Sequence, residues 1–236
     1  MGLRLSDVTC LLNDALRQTR RDGQAQEREL AALSSLAQPS RIIELLRSLH
    51  SNRDAAAACA EQSYLHPLGF YKLMLIDAAP LFELRVHVWW PSSRPGVDHV
   101  HNHRFSFVST VVCGGYDMQV FQVDPAGEEM AEYREVASPD TGWRLEPVGR
   151  ARLGLLTSAK LRQGSSYALS AEALHRVSVP PGTLCVTLLL RTARADSTTQ
   201  VFAEPGHVVP TAIPKMSLSS DDYRAHLEAL LDELAG

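Results

Sequence analysis

The sequence predicts a mainly β domain, an antiparallel barrel or sandwich, with an α-helical N-terminal extension and one closing C-terminal helix. Three observations carry that reading. Leucines recur at helical spacing through roughly the first 65 residues. From about His66 the texture turns to short segments rich in Val, Leu, Phe, Tyr and Trp, parted by Pro and Gly. The C-terminus then returns to a single helical stripe.

Taken in order, Leu5, Val8, Leu12, Ala15 and Leu16 repeat at helical spacing until Gly23 interrupts, and Leu30, Leu33 and Leu36 resume the pattern. Pro39-Ser40 opens a third helix carrying Ile42, Ile43, Leu45, Leu46 and Leu49, with Ser40 as its expected N-cap. Asn52 would cap a fourth, Ala-rich one. Strands are expected over Phe70 to Ile76, Phe82 to Trp90, Phe105 to Val112, Asp117 to Val123, Trp143 to Pro147, Ser166 to Leu169, His175 to Val179 and Leu184 to Arg191. Turn signals part them at Pro91 to Gly96, Gly114-Gly115, Pro125-Ala126-Gly127, Pro139 to Gly142 and Pro180-Pro181-Gly182. Many short strands without intervening helices imply antiparallel pairing. Ser219 and Asp222 match a capping box, followed by the stripe Tyr223, Leu227, Leu230, Leu231 and Leu234. The expected division is a helical extension at 1–65 packed on a barrel at 66–205, with a tail and helix at 206–236.

Composition narrows the function classes. A net charge of -4 offers no basic face for phosphate neutralisation, so neither nucleic acid nor a membrane surface is an expected partner. No apolar run approaches the roughly 18 to 20 residues that span a bilayer, and Met1 to Arg21 lacks the apolar stretch of a secretory leader; a cytoplasmic location is expected. Cys10, Cys59, Cys113 and Cys185 are scattered, with no CxxC pair, and read as reduced, mostly buried thiols.

The strongest local signal is histidine. Three of the nine fall at His99, His101 and His103. Alternate residues of a strand share a face, so either consecutive pair could present two imidazoles to one transition metal. Further along come Gly114-Gly115, then Gly164-Ser165-Ser166-Tyr167, then His175 and Pro180-Pro181-Gly182.

That succession resembles the two motifs of the cupin superfamily, in which an HxH pair and a turn glycine are followed by a third histidine on a later strand. The resemblance implies a cupin double-stranded β-helix barrel and selects His101, His103 and His175 as metal ligands, with His99 flanking. The usual cupin glutamate position holds Val108. The implied site is thus three neutral imidazoles, which leave the ion its full charge and favour an anionic substrate atom such as a thiolate.

The segment Tyr167-Ala-Leu-Ser-Ala-Glu-Ala-Leu-His175-Arg-Val looks like that of the cysteine dioxygenases, where a tyrosine precedes the metal histidine by the same interval. Phe70-Tyr-Lys-Leu-Met-Leu, then Phe82 and Leu84-Arg-Val-His-Val-Trp89, resembles the segment carrying the arginine that clamps the substrate carboxylate. The likeness covers roughly residues 65 to 195. It departs in three places: Lys72 stands where the clamping arginine would be, Val108 replaces the cysteine of the thioether crosslink, and Arg191 or a neighbour replaces a downstream tyrosine.

The resemblance therefore implies oxidation of cysteine or a related small thiol by dioxygen. Iron(II) is the first expectation for the metal, with nickel, manganese and zinc also accepting imidazole. Tyr167 and Lys72 are the expected catalytic side chains, and Lys72, Arg85, His87 and Arg191 the substrate-binding ones. The partner is a small-molecule thiol amino acid, and the protein a monomer or homodimer. The departures leave room for a specialised product such as a sulfonamide, for Lewis-acid isomerisation or elimination, and for a cupin that binds a ligand without turnover. Arg104 and Arg176, each following a ligand, are expected to point away from the metal. Trp89, Trp90, Phe105 and Phe107 are candidates for the pocket wall.

Overall fold

The computed structural model describes residues 4–22, 25–93, 98–138, 142–194, 198–207, 209 and 212–235. Gly23 and the turn residues 94–96 and 139–141 lie outside the described residues. Four helices come first: α1 (Leu5–Asp22), α2 (Ala25–Leu36), α3 (Pro39–Ser51) and α4 (Arg53–Glu61). The strands are β1 (Tyr64–Leu65), β2 (Tyr71–Ala78), β3 (Phe82–Trp89), β4 (Val100–His101), β5 (Phe105–Cys113), β6 (Gly115–Ser138), β7 (Gly142–Arg162), β8 (Ser166–Leu169), β9 (Leu174–Ser178), β10 (Cys185–Arg194), β11 (Thr199–Ala203), β12 (Ala212–Ile213) and β13 (Met216–Ser217). Helix α5 (Ser220–Ala235) closes the chain.

The barrel is one long hairpin wound on itself. β3 pairs with β10, β4 with β9, β5 with β8 and β6 with β7, each antiparallel. Successive ladders alternate between two sheets, ordered β13-β1-β2-β3-β10-β5-β8 and β11-β4-β9-β6-β7-β12. That is the double-stranded β-helix expected from the sequence, a jelly-roll arrangement of two facing sheets.

Helix boundaries follow local chemistry, with one correction. Gln38, not Ser40, caps α3, because Pro39 takes the first helical position, where its missing N–H costs nothing. Asn52 caps α4 as expected, accepting from the Ala55 amide at 3.1 Å. Ser219 Oγ accepts from the Asp222 amide at 3.1 Å at the head of α5.

A second correction concerns β6 and β7, which run far beyond Asp117 to Val123 and Trp143 to Pro147. Pro125-Ala126-Gly127 does not end β6: the register shifts between Val123 and Glu128, and Asp124 Oδ1 accepts from the Ala126 amide at 2.8 Å. Most side chains of this hairpin are exposed on β7, so the apolar alternation that marks a half-buried strand is missing from its sequence.

Alternation along the first sheet separates two environments. Leu84, Val86 and Val88 of β3, Leu188 and Leu190 of β10, and Val108 and Val112 of β5 pack with Leu12, Leu33, Leu45, Leu46, Tyr223 and Leu227 into one core between sheet and helices. The intervening residues of β3, Glu83, Arg85, His87 and Trp89, turn inward. A register shift in β2 between Met74 and Ile76 ties the layers together: the Met74 amide donates to Ser63 Oγ at 2.8 Å, and its carbonyl accepts from the Tyr223 hydroxyl.

Cys59 and Cys185 are buried, Cys113 is partly so, and Cys10 is exposed; all are free. No described helix is long and apolar enough to cross a membrane. Leu227 is fully buried and Leu155 is 54% exposed. Truncating Leu227 to Ala should therefore cost about 2–5 kcal/mol in denaturant unfolding, whereas Leu155→Ala should fall within about 0.5 kcal/mol of the parent.

Candidate metal centre and cavity

His101 ends β4 and pairs directly with His175 of β9, so the ladder itself places two imidazoles side by side. His103 lies just beyond β4, in the connection to β5, so a shared strand face is not what brings the two together. Buried Asn102 fixes that connection instead: its Oδ1 accepts from the Gln200 amide at 2.6 Å and its own amide donates to the Gln200 carbonyl at 3.2 Å. The His103 amide donates to the Ala171 carbonyl at 2.9 Å.

One ligand atom from each of the three rings lies within 4.8 Å of the others, and ring centres are 4.8 to 5.1 Å apart. The hydrogen bonds choose the tautomers. His101 Nδ1 donates to the His99 carbonyl at 2.9 Å, and His175 Nδ1 donates to the Ala173 carbonyl at 3.2 Å. Both Nε2 lone pairs are thereby left to bind a metal, the pattern seen where histidines are oriented for coordination. Burial holds His103 well below the usual imidazole range and His175 down to about 3, so both stay neutral, as ligands must. The donor set fits a divalent transition ion.

Asp98 carried no signal in the sequence, yet its Oδ2 accepts from the Val177 amide and its Oδ1 lies 3.5 Å from His101 Nδ1 without a hydrogen bond. Burial raises its carboxyl pKa, while His101, the Val177 amide and Arg176 pull the other way. The ring of His101 is oriented by the His99 carbonyl, which accepts from its Nδ1–H, while Asp98 adds a nearby carboxyl behind it.

A cavity of about 350 Å³ opens beside the histidines. Its lining includes His101, His103, Lys72, Arg85, His87 and Arg191, so the expected substrate-binding residues meet two of the three expected ligands in one space, with His175 buried behind them. His99 also lines it, 6.1 Å ring to ring from His207. Tyr167 does not line it; its hydroxyl accepts from Tyr116 at 2.8 Å, and its ring sits 6.1 Å from Phe107, which in turn meets His103 and His175. Val108 faces the helices, and Phe107 takes the inward position beside it.

Among the other residues weighed from sequence, Phe105 is a wall and stacks on His103 at 5.1 Å, whereas Trp90 sits on the helix side, its Nε1 donating to His226. Arg176 turns to Gln119 and Glu204. Arg104 departs from expectation: the chain has left β4, alternation no longer applies, and Arg104 lines the cavity in a 3.0 Å pair with Glu135. The sequence reading missed Tyr64, His66 and Trp143, which also line the cavity. It missed Glu83 too, although Glu83 alternates with Arg85 and His87 and could have been found by the same rule.

No family model matches the sequence, and no curated protein does. Solved structures do, on fold. One describes DMSP lyases: 16% identity, TM-score 0.31, covering 55% of this chain and 51% of that one. The chain spans about half the length of that lyase. A second is hydroquinone 1,2-dioxygenase from Sphingomonas sp. TTNP3, at 15% identity and TM-score 0.35, covering 69% and 82%. A third is a cupin-like protein from Thermotoga maritima, at 14% identity and TM-score 0.27, covering 66% and 83%. The order of the chain's own strands, independently of these, makes the barrel a double-stranded β-helix.

His101→Ala, His103→Ala or His175→Ala should remove metal binding in chelator competition. The metal-free protein has a pH signature as well. Burial depresses His66 and His175 to about 3. Between about pH 6.5 and 3 the unfolded chain binds protons that these folded sites refuse, so stability is full above that window and falls as pH drops through it. His66→Phe should flatten the decline by up to about 1.4 kcal/mol per pH unit, measured as unfolding free energy against pH.

Proposed function

We propose that this protein is a metal-dependent oxidoreductase that oxidises a small thiol, cysteine or a close relative, with dioxygen. The observation that carries the reading is the ligand set: three imidazoles converge with no carboxylate among them, and two of them, His101 and His103, stand at the wall of a cavity whose charged lining is mostly cationic. An ion held there keeps its charge and favours a thiolate over a neutral donor.

Bound by His101, His103 and His175, a divalent metal, iron(II) first among the candidates, would supply the Lewis-acid and redox chemistry for joining both oxygen atoms to a thiol sulfur. The chain's own residues do the rest. Lys72 takes the proton the thiol gives up. Burial pushes its ammonium down to about 7, so it is a working base at neutral pH, and it stands over the Tyr64 ring, 5.0 Å from its centre. Arg85 and Arg191 make the site attractive to an anion, and Glu83, between them, limits their mutual repulsion. Phe105, Phe107 and His87 exclude water from the space beside the ligands. Tyr167, fixed by Tyr116, holds Phe107 in place.

Oxygen uptake with cysteine under air, and a product heavier by two oxygen atoms in mass spectrometry, are the expected results. Both should disappear on chelation and in the three histidine-to-alanine variants. Turnover that continues under strict anaerobiosis sinks the oxidative reading and favours Lewis-acid chemistry. Activity should rise with pH through about 7 as Lys72 loses its proton, and Lys72→Met should lose that rise.

A further inference from the structure

Of the 23 basic residues in the chain only three are lysines, Lys72, Lys160 and Lys215. Two of the three meet on one ring. Lys72 Nζ stands 5.0 Å from the centre of Tyr64 and Lys215 Nζ 5.4 Å from the same centre. The strand pairing makes that meeting: Tyr64 on β1 lies opposite Lys72 on β2 and, on its other side, opposite Ser217 on β13, which Lys215 just precedes. Tyr64 and Lys72 both line the cavity of about 350 Å³.

Among the described residues the Lys72 amine has neither a hydrogen bond nor an ion pair, only the face of Tyr64. The charges it feels are Arg85, Arg191 and Lys215 against the single carboxylate of Glu83, and Glu83 is already engaged by Arg85 and Arg191. The other titratable neighbours add no counter-charge: Tyr64 keeps its proton, pushed up to about 12 by burial, and burial keeps His66 and His87 neutral. Burial and the surrounding cations hold the Lys72 ammonium down to about 7. A large share of it is thus the free amine at neutral pH, where an ordinary lysine, near about 10.4, is almost wholly ammonium.

A neutral amine reached from a cavity is a nucleophile. The charge of the product decides which electrophile suits it. An imine formed with an aldehyde is neutral or cationic and relieves nothing. Carbon dioxide gives an anion: the nitrogen lone pair forms the N–C bond, one C=O electron pair moves onto oxygen, and the nitrogen gives up a proton to water, with no change of oxidation state. Arg85, whose Nε has no hydrogen-bond partner, stands among the cations that such an anion would satisfy.

We propose that Lys72 is a carbon dioxide acceptor and carries a carbamate whose charge is balanced by the cations around it. This goes beyond the thiol reading and does not depend on it. Within that reading the carbamate withdraws the Lys72 lone pair from use as a base, so the modified and the basic forms are alternative states of one side chain.

The test uses metal-free protein with no thiol present. The protein is equilibrated with isotopically labelled carbon dioxide and bicarbonate at about pH 8, and any carbamate is trapped as its ethyl ester with triethyloxonium before peptide mass spectrometry. The labelled ethoxycarbonyl group should appear on Lys72 roughly tenfold or more above the exposed Lys160 of the same digest. At constant carbon dioxide pressure its yield should rise with pH through about 7, and unfolding in urea before labelling should erase the difference between the two lysines. Carbon NMR of the intact protein should show a carbamate resonance that Lys72→Arg, which keeps the charge, lacks. Equal labelling of Lys72 and Lys160 in the folded protein overturns the proposal, as does no label on Lys72, a preference that survives urea, or a resonance that persists in Lys72→Arg; the comparison of the two lysines needs no variant to fold.

Discussion

The rest of the structure depends on how the first sheet divides its two faces. On β3 and β10 every second side chain is apolar and points to the helices; the residues between them include Glu83, Arg85, His87, Thr187 and Arg191, along with Trp89, Cys185 and Leu189. Charged groups turned into a barrel are desolvated at a cost of several kcal/mol each unless they are paired. A sheet can carry such an inner face only where its other face is secured. Helices α1 to α4 and α5 supply that security, burying Leu12, Leu45, Leu46, Leu49 and Leu227 against it. The helical extension is therefore a condition of the polar interior.

The interior charges are then arranged to be partly self-compensating. Arg191 and Arg104 each have a carboxylate within hydrogen-bond reach, while Arg85 shares one at a longer distance. The imidazoles are kept neutral by burial, which suits them to a metal and removes four positive charges from the same space in His66, His87, His103 and His175. What is left is a modest excess of positive charge, on guanidinium and on a half-protonated lysine, beside a set of lone pairs. The second sheet and its β4–β5 connection contribute the ligands and the Arg104–Glu135 pair, and the first contributes Lys72, Arg85 and Arg191. The cavity is where the two faces meet.

Much of this was legible in the primary structure where a side chain's role depends on near neighbours. The α4 cap at Asn52, the apolar stripe of α5 and the inward pair Arg85 and His87 all follow from spacing, because periods of 3.6 and 2 are set by backbone geometry alone. Local rules failed where the chain leaves regular structure. Arg104 turns to the cavity because β4 stops at His101, and Pro125 sits in a bulge inside a strand it was expected to end. Tyr64, His66 and Trp143 carried no signal, since they come from the helix–barrel junction and from a distant hairpin.

By itself the sequence determined the class of fold, the four leading helices, the closing helix and the longer strands, because the periodicities that encode these are local; the short strands β1, β4, β11, β12 and β13 carried no such signal, and the resemblance to the cupin motifs selected the three histidines. Only the tertiary structure decided which residues surround those histidines and what state they are in. The tautomers of His101 and His175, the carboxylate of Asp98 behind His101, and the different standing of Lys72, Arg85, Arg104 and Arg191 all depend on burial and on partners far away in the chain. Charge and hydrogen bonding are properties of neighbours in space, and the winding of one hairpin into a barrel chooses those neighbours.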